Sequence, residues 1–369
     1  MQKSSSRLLE LDFFRGLVLL FIVVDHIGGS ILSRVTLHAY ALCDAAEVFV
    51  FLGGFATATA YATLALRRTE AAARHRFLRR SLEIYRAFLV TAGLMLLVSA
   101  VLIAFSIDAP NLTSDDLDDF IDAPLMALRD IVLLRRQPYL ASVLPMYALF
   151  ALSVPLVLPL AQRRPWWLLA GSLALWAAAP SVNAYLPAIE DAQWNFNPLA
   201  WQLLFVLGVL ARVQPVYRKI SSHRAGWLVN VLAFGVALAA AYYKLFIEQT
   251  PLDGSFKQSL SWLRAGNFLA IAWLVAYLIQ LGWVRKLALW LPWVGMIGRK
   301  GLICFVAGAA ISLVVDSLLY AATDGYLDIP LGLLADAIAV GALFGVARVC
   351  EPVKRLVARS TIRRSGVAT

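Results

Sequence analysis

Residues 226–247, GWLVNVLAFGVALAAAYYKLFI, carry a single charged side chain, and runs like this recur along the whole chain. About 20 apolar residues coiled into a helix rise roughly 30 Å, the thickness of the hydrocarbon layer of a bilayer. Backbone inside that layer finds no water, so each run must satisfy its own N–H and C=O groups, and a helix does so within one segment. The fold class expected is therefore an all-α integral membrane protein. The composition agrees, with 61% hydrophobic and 15% charged residues among 369 and a mean hydropathy of +0.74.

Ten membrane helices are expected, over residues 13–29, 45–66, 82–106, 138–160, 166–180, 197–213, 226–247, 263–283, 300–320 and 330–350. The fifth is short enough to be tilted, broken or re-entrant. No stretch reads as a separate soluble domain, so residues 1–369 form one transmembrane domain. Lys and Arg crowd alternate connections: 66–80, 162–164, 212–224, 285–286, 299–300 and the tail 354–364. The intervening loops are poorer in basic residues and rich in acids, among them Asp108, Asp115, Asp116, Asp118, Asp119, Asp122, Glu190, Asp191, Asp253, Asp324 and Asp328. Positive-inside bias puts both termini in the cytoplasm, in keeping with an even helix count. The acidic loop 108–122 reads as a solvated face.

The net charge of +10 does not indicate a nucleic-acid partner, because the basic residues lie between apolar runs rather than on a polar domain. Cys43, Cys304 and Cys350 are an odd number without CxxC spacing, which points to neither a disulfide framework nor a metal site. Lys3 and Arg7 ahead of an apolar core resemble a signal peptide, but Arg15 and the Asp25–His26 pair interrupt that core and no A-x-A-like site follows. No repeat at a fixed period is evident, which disfavours a repeat-built transporter.

The first span carries the chemistry. In FFRGLVLLFIVVDHIGG, residues 13–29, three ionisable groups persist where each costs about 3 kcal/mol or more. Arg15 and His26 are eleven positions apart, which is three turns, nearly one face and ~16 Å along the axis. With the N-terminus inside, Arg15 lies toward the cytoplasm and His26 toward the outer leaflet. Asp12, one turn before Arg15, can offset its charge. The second span opens with Asp44 and Glu47, neighbours at i and i+3 on the level of His26. Asp25 diverges from His26 by about 100° on a helix, so Glu47 is the better candidate for the carboxylate that orients the imidazole. Gly53 and Gly54 allow close helix packing. Arg15, Asp25, His26, Asp44 and Glu47 together predict a polar cavity within the bundle.

Arg, ten intervening residues and His in a first helix opened by LDFFRG resemble the signature of the acyltransferase 3 family of membrane O-acyltransferases. The segment AEVFVFLGGF, 46–55, is similar to that family's second-helix motif, with Glu47 at the usual aspartate position and Gly53 where serine is common. LDFFRGLVLLFIVVDHI with DAAEVFVFLGGF most resembles the OpgC branch, linked to succinylation of osmoregulated periplasmic glucans. QPYLASVLPMYALF, FNPLAWQLLFVLG and IGRKGLICFVAG extend the resemblance over most of the chain.

The resemblance implies a multi-pass enzyme of the bacterial inner membrane that moves a short acyl group, succinyl favoured, from cytoplasmic acyl-CoA to hydroxyls of a periplasmic glucan. Acyl-CoA is a co-substrate, and no permanently bound cofactor is implied. His26 would be the general base, with Asp25, Asp44 and Glu47 around it, and transfer would be direct because no serine or cysteine nucleophile is required. Arg15 would guide the donor arm or an acyl carboxylate, and Arg79, Arg80, Arg218 and Lys219 would meet the CoA phosphates. Tyr139, Trp194 and Trp201 are the aromatic candidates for stacking on the acceptor sugar, with Phe196 and Trp262 behind them. Two alternatives stay open: a glycan or proton-coupled transporter using the same charges, and an O-acetyltransferase acting on another surface glycan.

Overall fold

The computed structural model describes residues 4–365 apart from 108, 113, 190–193, 251 and 253, and the side chains of 4–8 and 351–365 are not described. Asp108, Glu190, Asp191, Asp253 and Lys3 thus lie outside the described residues, as do the side chains of Arg7 and of the basic tail. The described residues form helices and no strands. Eleven helices build the bundle: α1 Ser4–Asp25, α2 Ala45–Arg67, α3 Glu70–Ala104, α4 Val143–Arg163, α5 Pro165–Val182, α6 Pro198–Val213, α7 Gly226–Phe246, α8 Trp262–Gln280, α9 Pro292–Arg299, α10 Gly301–Thr323 and α11 Ile329–Ser365.

Each of the ten expected spans falls on one of these helices. Seven described helices are long and apolar enough to cross a membrane; α1, α5 and α6 are not among them, and α6 has only 16 residues. The segment expected as a basic loop, 66–80, is largely helix: α3 starts at Glu70, with Thr69 capping it through a hydroxyl that accepts from Ala72 N–H. Its 35 residues rise about 52 Å, so its basic first turns reach beyond the hydrocarbon layer. The acidic segment forms a helix, Ser114–Asp122, with no buried residue, and Arg136 pairs with Asp116 and Asp119.

Prolines mark several starts. Pro165, Pro198 and Pro292 stand at the first positions of α5, α6 and α9, where the missing N–H would have had no helical partner. The α5 helix is continuous, and α4 runs unbroken past Pro155 and Pro159. Along α7 the large apolar side chains Val231, Leu232, Phe234 and Leu238 stay exposed, which is stable only against lipid.

The site depends on two close helix contacts. A Cβ on Gly54 of α2 would fall 2.0 Å from the Phe205 carbonyl oxygen of α6, and one on Gly208 would fall 2.1 Å from that of Phe51. The pair Gly16 and Gly298 does the same between α1 and α9, at 1.9 Å from Val294 O and 1.8 Å from Asp12 O. Where lipid tails are as apolar as the side chains, such backbone approach supplies much of the packing. The α1 helix sits amid the bundle, against α2, α9, α10 and α11.

Candidate active site

Two cavities open along α1. The first, of about 400 Å³, is walled by Arg15, Arg76, Arg80, Tyr147, Gly53 and Gly301 among others. Arg15 is only loosely tied to Asp12, at 3.9 Å, so its guanidinium is not sealed away. Gly301 leaves it room, since a Cβ there would fall 2.7 Å from Nη2. Arg76 and Arg80 share one carboxylate, Glu83, at 2.7 and 2.9 Å, which leaves this cavity net positive. The Tyr147 hydroxyl on its wall is buried without a hydrogen-bond partner. Arg79, Arg218 and Lys219 are exposed and do not line it.

The second cavity, of about 740 Å³, is lined by His26, Asp25, Asp44, His38, Lys257 and Tyr139, with the polar side chains of Ser142, Asn195 and Gln258 on its walls. His26 follows the last residue of α1, and its Nδ1 lies 2.6 Å from the Ile22 carbonyl oxygen. A carbonyl only accepts, so Nδ1 carries the proton and Nε2 keeps the lone pair. The ring packs edge-on against Tyr139, with centroids 5.9 Å apart. Phe49 and Phe305, stacked at 5.8 Å, line both cavities and divide them.

The expectation that Glu47 orients His26 is corrected. Glu47 is fully buried and does not line the cavity. Its Oε1 accepts from Arg264 Nε at 2.6 Å, and its Oε2 accepts from the Asp44 backbone N–H at 2.8 Å. Asp44 caps α2 by accepting from Ala46 N–H at 2.7 Å, which with Glu47 forms a capping box. Arg264 Nη2 and Lys257 Nζ reach Asp44 Oδ2 at 3.0 and 2.9 Å. Burial alone would raise the Asp44 carboxyl, but the two cations overcome it and hold it below the ordinary carboxylate range. Burial likewise lowers the Lys257 ammonium, and Asp44 more than restores it. Two carboxylates thus face two cations, and burial is tolerated because each charge is matched.

Two of the aromatic candidates also fail. Trp201 is fully buried, its indole N–H shared between the Lys257 and Gln258 carbonyl oxygens at 3.1 Å each. Trp194 is 3% exposed and donates to Pro187 O at 2.8 Å. The Trp201 indole holds the segment that carries Lys257, the Trp194 indole holds the chain at Pro187 while its backbone oxygen accepts from the Gln258 amide, and neither residue lines the cavity, whereas Tyr139 and Phe196 do.

Residues from the far end of the chain complete the site. Asp316 of α10 accepts from Gly28 N–H at 2.7 Å and from the Asn111 amide at 2.7 Å. Asp336 of α11 accepts from the Ser30 hydroxyl at 2.5 Å and from the N–H groups of Ile31 and Leu32 at 2.9 Å each. Together they fix the turn that follows His26. Sequence reasoning passed over Asp316, Asp336 and Arg264, although an ionisable residue inside an apolar run is itself a signal.

No curated protein and no solved structure matches this chain. A family model described as OpgC protein matches residues 7–355, nearly the whole length. With that match over an apolar helical bundle whose two cavities carry charged and polar side chains among apolar ones, the chain belongs to the OpgC family, and it is a membrane enzyme of the acyltransferase type.

Proposed function

We propose that the enzyme moves a short acyl group, succinyl favoured, from acyl-CoA in the Arg15 cavity to a hydroxyl of a periplasmic glucan in the His26 cavity. One observation carries this reading: two cavities at different depths along α1 share the wall formed by Phe49 and Phe305. The Arg15 cavity has net positive charge from Arg76 and Arg80 against Glu83, which suits the phosphates and phosphopantetheine arm of CoA. The unpartnered Tyr147 hydroxyl offers a hydrogen bond to that arm. The His26 cavity mixes hydroxyl, amide and aromatic groups, the chemistry that receives sugars. The excess of Lys and Arg in alternate loops supports a reading with the Arg15 end toward the cytoplasm and the His26 end toward the periplasm of a bacterial inner membrane.

In the step so drawn, the thioester end of acyl-CoA reaches past Phe49 and Phe305 into the His26 cavity, where His26 Nε2 takes the proton of the acceptor hydroxyl while the hydroxyl oxygen attacks the thioester carbonyl carbon. The tetrahedral intermediate collapses, the C–S bond breaks, and the imidazolium returns the proton to the CoA sulfur. The products are the glucan ester and CoA thiol. Holding Nδ1–H on Ile22 O keeps the ring in the reactive tautomer throughout. A thin wall between two cavities also suits an alternating-access transporter, so the test must read chemistry. Purified protein is mixed with glucan and either radiolabelled succinyl-CoA or radiolabelled acetyl-CoA, and ester-linked label on the glucan is counted. Label from succinyl-CoA is expected, label from acetyl-CoA alone would change the acyl group, and label from neither would overturn the reading.

A further inference from the structure

The His26 cavity holds a second imidazole. His38 lies in the short helix Leu37–Tyr40, between α1 and α2, and its side chain is 28% exposed. It lines the same cavity as His26. Its Nδ1 is 3.2 Å from Asp25 Oδ1 and 2.9 Å from the Thr36 hydroxyl. Thr36 is 1% exposed, and its hydroxyl oxygen lies 2.6 Å from the same Asp25 oxygen. Asp25 and the Ser33 carbonyl oxygen, 2.9 Å from the same hydroxyl, only accept, and Thr36 has one proton to give them, so His38 Nδ1 carries the proton that completes the triangle. That leaves Nε2 of His38 as an acceptor. Asp25, adjacent to His26 in sequence, is therefore committed to His38 instead.

The two imidazoles differ in what holds them. His26 leans on a neutral carbonyl, whereas His38 leans on a carboxylate, which fixes its ring orientation and leaves Nε2 facing away from that carboxylate. Around them the cavity is a mixed surface: the Tyr139 ring, the Ser142 hydroxyl and the Asn195 amide. The other charges on that wall, Asp44 and Lys257, are already paired with each other. An uncharged, hydroxyl-bearing ligand fits these walls better than an anion does.

We propose that His38, oriented by Asp25 and Thr36, is an acceptor-binding residue: its Nε2 accepts a hydrogen bond from a sugar hydroxyl near the one that is acylated. The sugar would thus be held by one imidazole and deprotonated by the other. This rests on the reading of the His26 cavity as the acceptor side. Binding without turnover separates the two claims, so unacylated glucan is titrated calorimetrically into the purified protein with no acyl-CoA present.

His38→Ala is expected to weaken glucan binding about tenfold, the upper range for one hydrogen bond. His38→Gln, whose side-chain oxygen still accepts, should recover part of the loss. Asp25→Asn should weaken binding in the parent and add little on top of His38→Ala, because it acts through that ring. In turnover, His38→Ala should raise the KM for glucan and leave kcat and the KM for acyl-CoA within about threefold. Glucan binding at parental strength in His38→Ala, equal losses in His38→Ala and His38→Gln, or full additivity of Asp25→Asn would each overturn the proposal. Turnover lost with glucan binding intact and His38-dependent would instead overturn the acyltransfer reading alone.

Discussion

Glu47→Gln separates a structural carboxylate from a catalytic one. Glu47 is fully buried, and both of its oxygens are committed, Oε1 to Arg264 Nε at 2.6 Å and Oε2 to the Asp44 N–H at 2.8 Å. Glutamine supplies one acceptor and one donor, so whichever way it turns, an N–H faces another N–H. Arg264 also loses a counter-charge. Removing one partner of a buried ion pair costs about 3–5 kcal/mol, and losing a cap adds about 1 kcal/mol. Arg264 keeps Asp44 and the Leu252 carbonyl as partners, which puts the expected loss near the lower end, about 4 kcal/mol in all. Unfolding is followed by tryptophan fluorescence in an SDS titration from mild detergent, for the parent, Glu47→Gln, Arg264→Gln and the double variant. The double variant should be more stable than the sum of the single losses predicts. Activity per folded molecule should stay within about threefold of the parent, since Glu47 does not line the cavity. A Glu47→Gln protein of parental stability with kcat reduced 100-fold would refute this reasoning and return Glu47 to the chemistry.

Three further outcomes are expected. His26→Ala should lower transfer by about 10²- to 10⁴-fold, the range for general base catalysis, with the protein still folded in the membrane; near-parental turnover would remove His26 from the mechanism. Arg15→Lys keeps a charge but loses the planar fork, so the KM for acyl-CoA should rise and that for glucan should stay constant in initial-rate measurements; a change confined to glucan would reverse the assignment of the two cavities. Gly54→Ala should destabilise the protein by about 1–3 kcal/mol through overpacking, because the new Cβ would meet Phe205 O. Gly93→Ala, exposed on α3 with nothing within 4 Å, should instead be neutral or stabilising by up to about 1 kcal/mol. Equal effects at the two glycines in the same SDS titration would show that the α2–α6 contact is not tightly packed.

The apolar runs by themselves determined the helices, because a backbone in lipid has no other way to satisfy its polar groups along 20 residues. Helical periodicity led to the expectation that Arg15 and His26 share a stripe at two depths, and each lines a cavity along α1 although His26 lies just past the helix end. Local spacing was also enough for the Asp44–Glu47 pairing, which closes within one turn as a capping box. Other assignments depended on partners far away in the chain. Glu47 faces Arg264 across 217 positions and Ser30 faces Asp336 across 306, separations at which sequence fixes neither distance nor direction. Trp194 and Trp201 are aromatic residues near a helix end, as a sugar platform or an interfacial belt would have; only packing turned both inward, with their indole N–H groups on backbone carbonyls. Asp25 shows the same division on the smallest scale. Its neighbour in sequence is His26, yet the chain turns after α1 and brings Thr36 and His38 back onto its carboxylate. Hydrogen bonding selects the nearest correctly oriented donor in space, and tertiary structure alone decides which residue that is.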